Sequence, residues 1–148
     1  MNTIILAVGT LAISGLFGAM ASYVLAKFKF RGKSKIYLLF ISGMMIPIQA
    51  VLIPLSYIFG KLGIMNNYPV LILLYAAFCF PMTILILTGF MNGIPTELEE
   101  AMVIDGANIY QVFFKMILPL SVPGIVSVSI FNFIQVWNCL LYTSPSPR

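Results

Sequence analysis

Four runs of apolar residues, interrupted mainly by small or hydroxyl-bearing side chains, alternate with shorter polar stretches: Ile4 to Ala26, Ile36 to Phe59, Val70 to Phe90 and Val122 to Leu141. Each holds about 18 or more residues, enough as a helix to cross ~30 Å of hydrocarbon. The pattern predicts an all-α membrane protein, a polytopic bundle with four spanning helices. Between the third and fourth runs the character changes. Over residues 91–120 polar and apolar positions mix at helical spacing, and helix punctuation appears.

Thr96 and Glu99 have capping-box spacing, so a short helix is expected to begin at Thr96. Glu97, Glu99 and Glu100 in its first turn complement the positive end of the helix dipole. Leu98, Ala101, Met102 and Ile104 give it an apolar face, and Asp105-Gly106 ends it. Asn108 with Gln111 offers a second cap, after which Ile109, Val112, Phe113, Met116 and Ile117 recur at helical spacing until Leu118-Pro119. The expectation is a helix, a glycine elbow and a second helix. Isolated helices this short are marginal and need tertiary partners.

Composition sharpens the picture. The chain of 148 residues is 61% apolar and 8% charged, with mean hydropathy +1.05, far from the range of soluble domains. All four acids, Glu97, Glu99, Glu100 and Asp105, lie in the hairpin just described, and Lys27, Lys29, Arg31, Lys33 and Lys35 supply five of the eight basic residues in one short loop. A basic loop between two spanning segments reads as cytoplasmic. The N-terminus then starts outside, the Lys61–Tyr68 turn is outside, and the acidic hairpin is cytoplasmic. The first run has no basic residue ahead of it and is too long for a secretory signal, so it reads as a retained helix.

Several kinds of chemistry are excluded or left without support. The chain has no His, its acids are confined to the hairpin, and no glycine-rich loop ends in Gly-Lys-Ser/Thr. Neither a metal centre, nor a bound cofactor, nor nucleotide hydrolysis is expected, and a membrane enzyme is disfavoured. Cys79 and Cys139 lie in apolar runs and read as buried thiols. Gly15 with Ala19, and Gly18 with Ser22, are small-xxx-small pairs suited to close helix approach, either to another subunit or within this chain. Pro47, Pro54 and Pro81 predict kinks, as helices around a cavity would show. In the fourth run Asn132, Gln135 and Asn138 lie loosely on one side of a helix. They form a candidate substrate pathway, or alternatively bonds between helices.

Glu100-Ala101, Asp105-Gly106-Ala107 and Ile117-Leu118-Pro119 together resemble the signature loop of the membrane subunits of bacterial ATP-binding-cassette importers: E-A-A, three residues, G, nine residues, I-x-L-P. The likeness extends through IPTELEEAMVIDGA, LPLSVPG, KFKFRGK and MMIPIQAVLIPL, covers nearly all of Asn2 to Asn138, and is greatest for the carbohydrate-uptake branch that includes the second membrane subunit of maltose permeases. Met102 and Met116 depart from the usual Ala and Ile. Both are flexible and apolar, and are expected to repack with little loss.

The resemblance implies a permease subunit of a solute importer, its loop docking in a cleft of an ATPase and transmitting ATP-driven closure. Glu100, Ala101, Asp105, Gly106, Ala107, Leu118 and Pro119 would be the coupling residues. The implied partners are a second permease subunit, two cytoplasmic ATP-binding subunits and an extracytoplasmic solute-binding protein, within membrane lipid and without nucleic acid. Sugar is the implied substrate class. Members of this branch carry six spanning helices, so residues 1–138 read as a partial permease domain lacking the first and last, and 139–148, ending in TSPSPR, read as a non-native tail. The alternative from another class is a transporter or channel driven by an ion gradient. The four apolar runs hold no acid or base to serve one.

Overall fold

The computed structural model describes residues 2–63 and 67–143, excepting the side chains of residues 2, 3, 49, 52 and 139–143. Its helices are α1 (Asn2–Lys27), α2 (Lys33–Ser42), α3 (Ile48–Leu62), α4 (Tyr68–Asn92), α5 (Thr96–Ile104), α6 (Ile109–Val112), α7 (Leu118–Leu120) and α8 (Val122–Thr143). The 24 residues Ile4–Lys27 and the 25 of α4 are each long and apolar enough to cross a membrane. They pack along most of their length, and α8 lies against both.

What brings α1 and α4 together is a stripe of small side chains. Thr10, Ser14, Gly18, Ser22 and Ala26 recur every four residues on α1 and all are buried. Four-residue spacing keeps them on one helical face, and small residues let two backbones approach where burial of apolar area drives nothing. Gly18 faces Thr83 and Phe80 of α4, so its small-xxx-small pair serves packing within the chain, whereas a Cβ on Gly15 would meet nothing within 4 Å. α8 answers with Gly124, Val128, Asn132 and Val136, again at four-residue spacing. A Cβ on Gly124 would come within 2.8 Å of the Phe90 ring.

The second apolar run, expected as one spanning helix from Ile36 to Phe59, is instead divided. α2 has 10 residues and α3 has 15, about 15 and 22 Å of helix, and neither alone crosses the hydrocarbon. The cause is local. Pro47 disfavours the α region at the preceding residue, and Ile46 adopts φ −85°, ψ 111° after Gly43–Met45 tighten into a 3₁₀ turn. Pro54 and Pro81 sit inside continuous helices.

Two apolar clusters mark opposite ends of the bundle. Ala7, Tyr75, Cys79 and Val136 form one, with Cys79 a buried free thiol as expected. The other joins Ala19, Tyr23, Ala26, Leu87 and Met91 to Val112, Phe113 and Ile117 of the hairpin. The expected outer turn includes Asn66, and the second cysteine is Cys139. The residue and the side chain, respectively, lie outside the described set. α8 continues through Cys139 to Thr143, so no helix end coincides with the expected tail boundary, and 144–148 lie outside the described residues.

Candidate functional site: the acidic hairpin and its seat

The hairpin begins where α4 runs out at Asn92 and Gly93, and α5 starts at Thr96. The helix starts at Thr96 as expected, but the expected capping box does not form. Thr96 is the first helical residue, the preceding position is Pro95, and no side chain caps the helix. Glu99 is drawn elsewhere. Its Oε1 lies 2.8 Å from Lys27 Nζ at the end of α1, and the Tyr23 hydroxyl donates to its Oε2 at 3.3 Å. Lys27 Nζ also donates to the Ile94 carbonyl. The two charged side chains are only 6% and 15% exposed. A desolvated charge-assisted pair outweighs a local cap at a wet helix end, because the cap can be replaced by water and the pair cannot.

The elbow closes as a Schellman motif. The Ala107 N–H donates to Met102 O at 2.9 Å and the Gly106 N–H to Val103 O at 3.0 Å, with Gly106 at φ +84°. A left-handed residue at this place is what satisfies the last carbonyls of α5, and glycine takes it without steric cost. The second cap is as expected: the Gln111 N–H donates to Asn108 Oδ1 and the Asn108 N–H to Gln111 Oε1, each at 2.9 Å. From α6 the backbone widens into a π turn at Phe113–Ile117 before α7. Ser121 then separates two helical stretches bent by 70°, Ile109–Leu120 and Val122–Asn138.

The hairpin's inner and outer faces differ from the single apolar face read in the sequence. Met102, Ala107, Met116 and Leu118 pack on the cluster formed by α1, α4, Val112, Phe113 and Ile117. Tyr23 lies against Phe113, ring centroids 5.3 Å apart. Leu98, Ala101 and Ile104 face outward, Ile104 at 85% exposed, with Tyr110 and Phe114 also exposed. Glu100, Asp105, Gly106 and Pro119 are exposed as well. The seven expected coupling residues therefore divide: Glu100, Ala101, Asp105 and Gly106 present a polar and small-residue surface rimmed by bare apolar side chains, Pro119 is exposed in α7, and Ala107 and Leu118 hold the hairpin to the bundle. An exposed apolar rim of this kind is what a protein partner or a lipid surface would cover. Lys27, Tyr23 and Glu99 escaped the sequence reading because the pairing spans 72 residues (99 − 27) and only the fold brings it together.

The three candidate pathway amides are separated too. Asn132 is buried and its Nδ2 donates to Thr83 Oγ1 at 2.9 Å, a bond between α8 and α4. Gln135 and Asn138 are exposed. Gln135 lines a cavity of about 490 Å³ at the break between α2 and α3, with Met44, Phe78, Met82 and Phe131 among its walls.

Residues 5–144 match the family described as "Binding-protein-dependent transport system inner membrane component". The chain is 39% identical over 141 residues to the diacetylchitobiose uptake system permease protein NgcG of Streptomyces coelicolor, covering 95% of this chain and 47% of that protein. It is 38% identical over 141 residues to the trehalose transport system permease protein SugB of Mycobacterium tuberculosis, covering 95% and 52%. It is 34% identical over 146 residues to the alpha-glucoside transport system permease protein AglG of Rhizobium meliloti, covering 95% and 38%. The chain thus spans about half the length or less of these curated relatives.

Proposed function

Because the chain belongs to the family of inner membrane components of binding-protein-dependent transport systems, we propose that its full-length form is the permease subunit of an ATP-driven solute importer. In this reading it pairs with a second permease subunit, receives solute from an extracytoplasmic binding protein, and is driven by two cytoplasmic ATP-binding subunits. ATP is hydrolysed on those partners.

One observation carries the proposal: the acidic hairpin is fastened to the end of α1 through Lys27 and Glu99 and to α4 through the cluster with Leu87 and Met91, while its outer surface stays bare. A push on that surface would move two spanning helices together instead of bending a loop. Ala101 and Gly106 leave room for a partner's side chains, and Glu100 and Asp105 supply acceptors for its donors. The test is capture from the cytoplasmic side. In inverted vesicles holding the full-length assembly, Ala101→Cys is expected to cross-link to an ATP-hydrolysing chain through a thiol-directed reagent, with a yield that changes when ATP is added. Labelling of that thiol by an impermeant reagent in intact cells but not in inverted vesicles would overturn the reading.

Sugar is the substrate class we assign, supported by the relatives named for diacetylchitobiose, trehalose and alpha-glucoside uptake. Gln135 lines the cavity at the break between α2 and α3, and Asn132 is occupied in holding helices together. Gln135→Leu is expected to lower sugar uptake several-fold with assembly intact. Asn138→Leu, outside that cavity, leaves uptake near wild type. Equal rates for both variants and wild type in a radiolabelled uptake assay would remove Gln135 from the path.

A further inference from the structure

We propose that the cleft between the cytoplasmic ends of α1 and α4 and the first turn of α2 is a binding site for one anionic phospholipid of the inner leaflet. The cleft measures about 650 Å³. Its walls are largely hydrocarbon, from Leu25, Phe30 and the Tyr37 ring, and its mouth carries Lys33, Ser34 and Lys35. Thr88 lines it as well; the residue is 5% exposed, and its hydroxyl oxygen is covered and makes no hydrogen bond. Such a group costs free energy unless something polar reaches it, so an occupant that carries a polar atom to that depth and displaces the covering atoms gains a hydrogen bond there.

Three features select the occupant. Leu25 and Thr88 lie within about a turn of the helix ends, the level at which lipid esters and phosphates sit. The charge is of one sign: no carboxylate lies on the 28–32 loop or α2, and Lys27 is the basic residue there that is spent on Glu99. Lys33 Nζ donates to Ala26 O at 3.1 Å, keeping two of its protons free, and Lys35 is exposed. α2 also starts after Gly32 without a side-chain cap; its first N–H, that of Lys33, donates to Phe30 O, which leaves the Ser34 and Lys35 amides as the open donors of its first turn. Glu97 lines an adjoining groove on the far side of Lys33 and Asn92, which keeps the headgroup on the α2 side. The lipid phosphate then sits among Lys33, Lys35 and the start of α2, a glycerol or ester oxygen meets Thr88, and an acyl chain fills the apolar cleft. Basic pockets between spanning helices on the cytoplasmic face suit this chemistry.

The probe is phosphatidylglycerol added to the full-length assembly, purified in mild detergent and delipidated, with adducts counted by native mass spectrometry against phosphatidylcholine. Phosphatidylglycerol is expected to bind in preference. Lys33→Gln/Lys35→Gln is expected to weaken it by about 10- to 30-fold, with phosphatidylcholine unaffected, while Lys61→Gln at the other end of the bundle changes nothing. Thr88→Val is expected to weaken it about threefold, which diffuse attraction to a basic surface would not produce. Equal binding of both lipids, insensitivity to the double variant or to Thr88→Val, or displacement by millimolar inorganic phosphate, which would make this a free-phosphate site, each overturns the proposal.

Discussion

Lys27→Met in the full-length protein is expected to unseat the acidic hairpin and lower stability by about 3 kcal/mol. The substitution leaves Glu99, 15% exposed, without its counter-charge at 2.8 Å, and deprives the Ile94 carbonyl of its donor. Removing one member of a desolvated pair costs more than the pair contributes, because the remaining charge stays buried and unpaired. Glu99→Leu together with Lys27→Met is therefore expected to recover most of the loss. The reversed pair, Lys27→Glu with Glu99→Lys, is not expected to recover it: a carboxylate at position 27 cannot donate to Ile94 O and would face that carbonyl with like polarity. Tyr23→Phe removes a single bond at 3.3 Å and costs about 1 kcal/mol. Thermal unfolding in detergent ranks these variants. A reversed pair as stable as wild type would show that charge alone holds the seat.

Gly18→Ala carries the second large effect, about 1–3 kcal/mol from overpacking between α1 and α4. The added methyl would lie 3.2 Å from Thr83 Cβ and closer still to its Cγ2. Thr83 cannot turn away, since its hydroxyl donates to Cys79 O at 2.9 Å and accepts from Asn132 at 2.9 Å; a new rotamer would break both bonds. Thr83→Ser removes only the offending methyl and keeps the hydroxyl. The double variant Gly18→Ala/Thr83→Ser is accordingly expected to return most of the lost stability, and Gly15→Ala, with open space before it, to cost nothing. Failure of the serine to rescue, in the same unfolding assay, would place the conflict in the backbones.

The sequence made some of this legible and concealed the rest for identifiable reasons. Apolar runs long enough to span announce α1, α4 and α8 because nothing else accommodates them. The Asn108–Gln111 box was readable because both partners lie within one turn, and Gly106 because a left-handed end has few other occupants. Thr96 and Glu99 had the same local grammar and behaved differently, since Lys27 offers Glu99 a stronger partner from another helix. Pro47, Pro54 and Pro81 look alike in the sequence, yet only Pro47 coincides with a break; it follows Gly43–Met45, where the helix has already tightened. Period alone groups the amides of α8. Their division into Asn132, inside, and Gln135 and Asn138, outside, depends on which stripe of α8 meets α4.

The wide turn at Phe113–Ile117 also constrains length. A π turn holds one residue more than the α-helical turn it replaces, so losing one residue there would close it to an α turn with the flanking helices still in register, whereas a loss or gain in the α-helical turns beside it would rotate everything before it by about 100° relative to α8. Glu99 would swing off Lys27 even though neither had been touched. Insertions and deletions in natural variants of this chain should thus be rare in Ile109–Val112 and Leu118–Leu120, where an added or missing residue acts as a crank on the whole hairpin, and a single deletion should be tolerated best within Phe113–Ile117.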